Sequence, residues 1–362
     1  MNNKNYKTGL VALAFALVAV SCTNNEDQIE SRVPISFSES IVQATKGAAA
    51  VTTGNMTDFG LYAAYTAQGS YDPGTTGFKH IINAKFVQYQ GLWVGESDYY
   101  WPGSGSLSFV AYAPYSASLS GFVGLSLPSA SSGNGYPVFT YSPPTSGQGL
   151  TDMPDLCLAT PLINRTKPAN GGTEEPLEFH HVLTGVRFKA RYNVRYAPGN
   201  FSNDFYVKVL AVELGGVIGT KQLSVTDSDP YFVWQADGTL PKNKTYTLTS
   251  QDGQVKADAL NDVDRQLLNS NSGMLYLLPQ TPTNATVAIL YGVYAASNDA
   301  LLASLTSDAI TLPTNEWLPG AVMDYLLGPA MNLNDDYIEL ADGCDSEAPD
   351  FYQWVMNGRP TD

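Results

Sequence analysis

Few side chains in this chain have the type and spacing that catalysis or metal binding needs. The 362 residues include only three His and three Cys, and they contain no nucleophile elbow, phosphate-binding loop or dinucleotide-binding glycine motif. His180 and His181 are adjacent, and neighbours on a strand point to opposite faces, so the two cannot ligate one ion together. We expect one of them to make a buried hydrogen bond and the other to face solvent. The sequence therefore predicts that the protein is not an enzyme and has no metal and no cofactor.

Two further candidates for chemistry have simpler interpretations. Asp227-Ser228-Asp229 begins like a calcium-binding loop, but the positions that follow lack the Gly and Glu that such a loop needs. Cys157 lies in the apolar segment Asp155–Ala159, so a buried and inert thiol is expected. Whether Cys157 forms a disulfide with Cys344 is left open by the sequence.

A basic strip is the strongest candidate for ligand binding. The segment Val186–Val194 alternates apolar and polar side chains, which places Arg187, Lys189 and Arg191 together on one face of a strand. Such a strip could hold an anionic glycan, although it is more often a solvated face or a guarded edge strand. Tyr99-Tyr100-Trp101 could likewise stack on a sugar, but burial is the commoner outcome for aromatic rings.

The N-terminal residues resemble the export signal of bacterial lipoproteins. A basic region precedes the apolar run Gly9–Val20, which is too short to span a bilayer of about 30 Å as a helix. The run ends in Ala19-Val20-Ser21-Cys22, which resembles the lipobox, where the cysteine thiol receives a diacylglyceryl group. The resemblance implies a signal peptide at residues 1–21, a lipid on Cys22 and a polar tether at 22–32. The alternative is an ordinary signal peptide in which the cysteine is incidental.

Composition excludes several classes of protein. Charged residues make up 15% of the chain and aromatic residues 11%, with a net charge of −15. A disordered chain would contain few aromatic residues, and a protein that binds nucleic acid would need a basic surface. We therefore expect folded domains that do not bind nucleic acid, and the chain length favours two of them.

The body of the chain has the pattern of an all-β protein. Short alternating segments recur between turns rich in Gly, Ser and Asn, and only Ala257–Leu268 has helical periodicity. Without alternation of strands and helices, this pattern favours antiparallel β-sandwiches. We expect two sandwich domains at residues 33–170 and 171–333, followed by a tail at 334–362. The predicted strands are Val33–Phe37, Phe59–Tyr65, Phe86–Val94, Leu107–Tyr112, Val186–Val194, Val207–Leu214, Leu275–Leu278 and Val287–Val293.

Four further segments carry motifs: Tyr99–Tyr115, Leu177–Phe188, Leu275–Gln280 with the strand after it, and Leu312–Leu327, which contains Trp317-Leu-Pro-Gly320 and Tyr325. They resemble sequence blocks of the fimbrillins, the pilus subunits of Bacteroides-type bacteria, and occur in the order that the family shows. The resemblance covers roughly residues 33–333. It implies two tandem transthyretin-like antiparallel β-sandwich domains, in a lipoprotein exposed at the outer membrane.

The resemblance also implies a mechanism of assembly. In fimbrillin-type pili, a protease removes the first strand, and an extended segment of a neighbouring subunit fills the groove that is left. Here Val33–Phe37 and Ile41 would form that strand, and Lys46 is the candidate cleavage position, where family precursors often have Arg. The alternative for Lys46 is a solvated loop lysine. Cleavage after Arg32 would release the tether without opening a groove.

The expected function is therefore that of a fimbrial subunit or tip adhesin that mediates cell adhesion. Its expected partners are other pilus subunits, the outer membrane through the lipid, and a ligand on a host or bacterial surface. The alternative is a monomeric surface lipoprotein that binds a glycan or a host protein. The absence of catalytic motifs argues against a third class, a secreted hydrolase.

The C-terminal tail predicts a position within the pilus. A stalk subunit needs a donor strand of about ten residues with alternating apolar side chains. Pro329, which cannot donate to a strand ladder, and the adjacent Asp335 and Asp336 interrupt that alternation. The tail therefore favours a tip or accessory subunit, which accepts a strand, over a repeating stalk unit.

The lipid assignment predicts the behaviour of a Cys22→Ala variant. This variant should lose its membrane attachment while still folding, because the thiol is the acceptor of the lipid and the tether lies outside the sandwich. Metabolic labelling with a fatty acid, with the wild type beside it, measures the outcome. Label that persists in the variant would contradict the assignment.

Overall fold

Every regular element in the described part of the chain is a β-strand. The computed structural model describes residues 32–41, 56–117, 125–128, 133–145, 153, 155–168, 174–190, 205–249, 254–255, 265–266, 274–295, 297–328, 337–340 and 355–356. This result confirms the predicted all-β class. Within the same residues, no helix is long and apolar enough to cross a lipid bilayer.

The strands follow one another as short segments separated by turns. The first ten are β1 (Ser36–Ile41), β2 (Asp58–Thr66), β3 (Ile81–Tyr89), β4 (Leu92–Gly95), β5 (Ser106–Ala113), β6 (Leu125–Ser126), β7 (Val138–Tyr141), β8 (Cys157–Ala159), β9 (Leu162–Arg165) and β10 (Glu175–His181). The others are β11 (Thr184–Ala190), β12 (Phe205–Val217), β13 (Lys221–Val225), β14 (Phe232–Trp234), β15 (Lys244–Thr249), β16 (Gln254–Val255), β17 (Arg265–Gln266), β18 (Leu275–Leu277), β19 (Thr286–Ala295), β20 (Leu301–Thr306), β21 (Ile310–Thr311), β22 (Val322–Gly328), β23 (Tyr337–Leu340) and β24 (Val355–Met356).

The largest sheet contains eight strands, and β1 occupies a place inside it. The order of the strands is β2-β3-β4-β1-β10-β8-β5-β9, and β2 also pairs with β5. β1 is antiparallel to β4 and parallel to β10. Because β10 follows far along the chain, this parallel pair joins distant segments, which local turns cannot do.

Three further sheets contain the other strands. One has the order β17-β11-β22-β23-β24 with β18 beside β11, and a second has β15-β12-β19-β20 with β16 and β21 beside them. The third, β14-β13-β7-β6, joins strands from both sides of residue 170. Between His181 and Thr184 the chain leaves the eight-stranded sheet, which contains β10, and enters the sheet that contains β11 and β22. The predicted domain boundary at residue 170 stays a prediction.

Two hydrophobic cores meet at the eight-stranded sheet, because β2 and β5 are buried on both faces. Leu61 and Phe109 belong to one core, which also contains β1, whereas Tyr62 and Val110 belong to the other, which extends to Tyr325. Strands buried on both faces have nearly continuous apolar runs rather than alternation. The sequence signal for this arrangement is the run Leu107–Ala113.

One local prediction is wrong where the structure describes it. Arg265–Gln266, inside the stretch with helical periodicity, is a strand that pairs with Lys189 and Ala190 of β11. Pairing with an existing strand outweighs a weak helical pattern here, because propensity is overridden by tertiary contacts. The other residues of Ala257–Leu268 lie outside the described part of the chain.

The C-terminal motif residues have structural roles. The buried Gln280 side chain accepts a hydrogen bond from the Ile218 amide at 2.7 Å and donates to the Leu278 carbonyl at 3.1 Å. Trp317 pairs its backbone with Gln280, and its indole N–H donates to the Tyr325 hydroxyl at 2.8 Å. These contacts satisfy polar groups inside the second core, where an unpaired one would be costly.

Candidate functional site

The first strand completes the middle of the eight-stranded sheet. Phe37 of β1 pairs with Glu175 of β10 on one side and with Trp93 of β4 on the other. The chain before β1 continues this pairing: the Ile35 amide donates to the Tyr99 carbonyl at 2.8 Å, and the Trp101 amide donates to the Val33 carbonyl at 2.9 Å. Residues 33–41 therefore form one continuous extended segment, which we call the first-strand segment.

Side chains of the first-strand segment alternate between core and surface. Val33, Ile35 and Phe37 are buried, whereas Pro34 and Ser40 are exposed. This is the period of two that a strand with one apolar face requires. Of the predicted strand Val33–Phe37, only Ser36 and Phe37 lie in β1, which runs on to Ile41, while Val33 and Ile35 continue its backbone pairing.

Phe37 is the anchor of the first-strand segment. Its ring is fully buried and lies 5.3 Å from the rings of both Phe86 and Phe109, with interplanar angles of 71° and 88°. Phe59 lies 6.1 Å away. Such edge-to-face pairs add about 0.5–1.5 kcal/mol each beyond the burial of area. The slot for the first strand therefore contains a pocket that fits one aromatic ring.

One polar side chain points toward the same core. Glu39 follows Phe37 by two positions, and its carboxylate accepts a hydrogen bond from the indole N–H of the fully buried Trp93. The sequence interpretation missed this contact, because a single Glu in an alternating segment gives no sign of its partner. The one sequence signal is the position of Glu39 in the apolar phase of the alternation, which marks the residue as unusual but does not identify Trp93.

The ends of the first-strand segment are the candidate cleavage positions. Arg32 is exposed and directly precedes Val33. The sheet pairing of β1 ends at Ile41, and β2 begins at Asp58. Lys46 lies between them in sequence and outside the described residues, and Cys22 lies outside them as well. The structure therefore defines what a cut after Lys46 would detach, namely the whole first-strand segment.

The predicted basic strip is only partly described, and its first member is engaged. Arg187 donates two hydrogen bonds to Asp324, from Nε to Oδ1 at 2.5 Å and from Nη2 to Oδ2 at 2.6 Å. The two residues are register partners in the parallel pair of β11 and β22. The backbone of Lys189 pairs with Leu326, and nothing is described of its side chain or of Arg191. A bidentate pair of this kind ties two strands together.

The histidines behave as the alternation predicts, on opposite faces of β10. His181 is buried, and its Nδ1–H donates to the Asp155 carboxylate at 2.6 Å. His180 is half-buried and contacts Thr160 at 2.9 Å. Cys157 is a buried, free thiol 3.4 Å from His181 Nδ1, and burial, followed by the Asp155 charge, raises its pKa well above the usual value. His181, Asp155 and Cys157 therefore form a buried polar cluster, in which the thiol is unreactive.

The aromatic triplet is mostly core. Tyr99 stacks on Phe86 at 6.0 Å, and Trp101 meets Phe109 edge-on at 5.6 Å. Only Tyr100 is exposed, at 36%. Two of the three rings therefore support the pocket of Phe37 rather than a sugar-binding platform.

Comparison with known proteins gives one family. The family model described as "Fimbrillin-like" matches residues 44–328. The chain is similar to the crystal structure of a fimbrial protein from Bacteroides vulgatus, with 19% identity, a TM-score of 0.60, and coverage of 84% of this chain and 99% of that one. It is also similar to a proposed cell adhesion protein from Bacteroides ovatus, with 16% identity, a TM-score of 0.47, and coverage of 89% and 100%. The comparison with curated proteins gives no match. The likeness to the first structure shows a shared fold.

The pocket of Phe37 predicts the effect of a Phe37→Ala variant. Removing the ring from between Phe86 and Phe109 should lower the free energy of unfolding by about 3–5 kcal/mol, because a cavity replaces the edge-to-face contacts. Ser40→Ala, on the exposed face of the same strand, is the matched control and should change it by less than about 0.5 kcal/mol. Denaturant unfolding of the full chain measures both. Equal effects of the two variants would contradict the anchor role of Phe37.

Proposed function

Since the chain belongs to the fimbrillin-like family, we propose that it is a surface fimbrial subunit or tip adhesin that is assembled by strand exchange. The observation that carries this proposal is the place of the first-strand segment. It lies inside a sheet, between β4 and β10, yet it is the first segment of the described chain. A single cut after it would therefore leave it held by non-covalent contacts alone.

Loss of the first-strand segment would open a groove that could recognise an incoming strand both by its backbone and by one of its side chains. The facing edges of β4 and β10 would present unpaired backbone N–H and C=O groups, which give affinity for any extended chain. The hole left by Phe37, between Phe86 and Phe109, would select an aromatic side chain at one position. An incoming strand of another subunit would restore both sets of contacts.

The cleavage position decides what is released with the strand. A cut after Lys46 removes Cys22 and the first-strand segment together, so that the same step frees the subunit from its lipid and opens the groove. A cut after Arg32 removes Cys22 but leaves the sheet complete. We propose Lys46 as the activating position, with the lipid on Cys22 holding the precursor at the outer membrane until the cut.

A second candidate function has its own observation. A cleft of about 370 Å³ is lined by Thr220, Gln222, Gln235, Asn243 and Lys244, together with the apolar Leu240 and Pro241. Such a mixed lining suits a ligand that has hydroxyl groups on an apolar ring, so a monomeric surface lipoprotein that binds a glycan is the alternative. Filaments seen by electron microscopy favour the first function, and glycan-array binding by the monomer favours the second.

Limited proteolysis tests strand exchange directly. Trypsin treatment of the purified precursor should let the cleaved chain take up a new strand, either from a neighbour, which gives SDS-resistant ladders, or from an added peptide of residues 33–46. A Lys46→Gln variant should do neither under the same treatment, while the matched Arg32→Gln variant should behave as the wild type does. Wild-type and Arg32→Gln chains that are completely cleaved at Lys46 and take up neither a neighbour's strand nor the peptide would overturn the proposal.

A further inference from the structure

The apolar face of the first-strand segment contains one ionisable side chain. Val33, Ile35 and Phe37 point into the core, and the period of two places Glu39 next on the same face. Glu39 is half-buried there, and a polar group that is partly removed from water is costly unless it is hydrogen-bonded. Glu39 meets this condition through the indole N–H of Trp93, which it accepts.

Trp93 depends on this contact as much as Glu39 does. Its side chain is fully buried on β4, opposite Phe37, and its ring lies 5.3 Å from that of Phe59. An indole N–H is a donor only, and Glu39 is its acceptor in the described part of the chain. When the first-strand segment leaves, Trp93 loses this partner, and any replacement strand must supply another.

Alternation alone cannot set the register of a replacement strand. A slip by one residue turns the apolar side chains to the wrong face and is excluded, but a slip by two keeps every side chain on its own face. A slip by two in one direction would place Phe37 against the Trp93 N–H, which would stay unsatisfied. In the other direction it would place the Glu39 carboxylate between Phe86 and Phe109. Both slipped registers bury an unpaired polar group, which is costly.

We propose that Trp93 sets the register and the choice of the strand that fills the groove, by requiring a hydrogen-bond acceptor two residues after the aromatic anchor. The partner is thus an extended segment of another subunit with the pattern aromatic–x–acceptor, where the acceptor is a carboxylate or an amide oxygen. This inference rests on the strand exchange proposed above. Under this proposal, the pocket of Phe37 selects an aromatic side chain in the incoming strand, and Trp93 selects a hydrogen-bond acceptor two residues later.

Peptide capture by the cleaved chain tests the selection. The full chain is cut after Lys46 and offered labelled peptides of residues 33–46 with the native sequence, with Glu39→Gln or with Glu39→Leu. The native and Gln peptides should exchange into the groove to a similar extent, since both have an acceptor. The Leu peptide should be captured about tenfold less or worse, because it leaves the Trp93 donor unpaired. Equal capture of the Leu and native peptides would overturn the proposal.

A Trp93→Phe chain is the matched control. Without the indole donor, it should capture the Leu peptide at least as well as the native one, because the acceptor then has no partner. A Trp93→Phe chain that still prefers the native peptide by about tenfold would also overturn the proposal. If neither chain captures any peptide, including the native one, strand exchange itself fails, and the register claim is decided on the uncut protein.

The uncut protein gives that independent measurement. Glu39→Leu and Trp93→Phe are combined in a double-mutant cycle, and the unfolding equilibrium constant of each variant is measured. Glu39→Leu should raise this constant about tenfold more in the wild-type background than in the Trp93→Phe background. Equal effects in the two backgrounds would show that the contact does not hold the strand in register, and would overturn the proposal.

Discussion

The structure depends on the pairing of β1 with two strands that lie far from each other in the sequence. β4 and β10 each direct backbone donors and acceptors toward the space that β1 fills, and buried groups of this kind must be paired. The same strand supplies Phe37 to the first core, where three other phenylalanine rings lie 5.3–6.1 Å from it. β2 and β5 contribute one face to each core, so the packing of the first core is coupled to that of the second through these two strands.

The proposed function follows from this placement. The segment is central in the sheet but first in the described chain, so in the proposed mechanism one cut would detach it, and its loss would leave unpaired strand edges beside an aromatic pocket. Elsewhere in the described chain, charged groups pair across the fold: Arg187 binds Asp324 across β11 and β22, and the buried Lys221 of β13 contacts Asp237, in the connection after β14, at 2.6 Å. These pairs stabilise the fold, which is consistent with the structural role that the family suggests.

Much of the fold could be predicted from alternation, because strands with one buried face show it directly. The prediction of one strand at Phe86–Val94 is wrong in one respect, because the segment is a hairpin of β3 and β4 whose turn, Gln90-Gly91, has positive φ at both residues. The parallel partner of β1 could not be predicted, because pairing between distant segments leaves no local pattern. The role of Glu39 was hidden for the same reason, since its partner Trp93 lies on another strand. The pairing of β7 with β13 likewise joins segments on opposite sides of the predicted boundary.

Hydrogen–deuterium exchange with mass spectrometry tests the central claim most directly. It compares the uncut chain with the chain that is cut after Lys46 and then mixed with excess peptide of the first-strand segment carrying Phe37→Ala. The account predicts that amides of β4 and β10 lose protection after the cut, since a weakened strand fills the slot poorly, while β12 and β19 stay protected. Excess native peptide should restore the protection. Unchanged protection of β4 and β10 after complete cleavage, or loss of protection throughout all sheets at once, would contradict a detachable first strand.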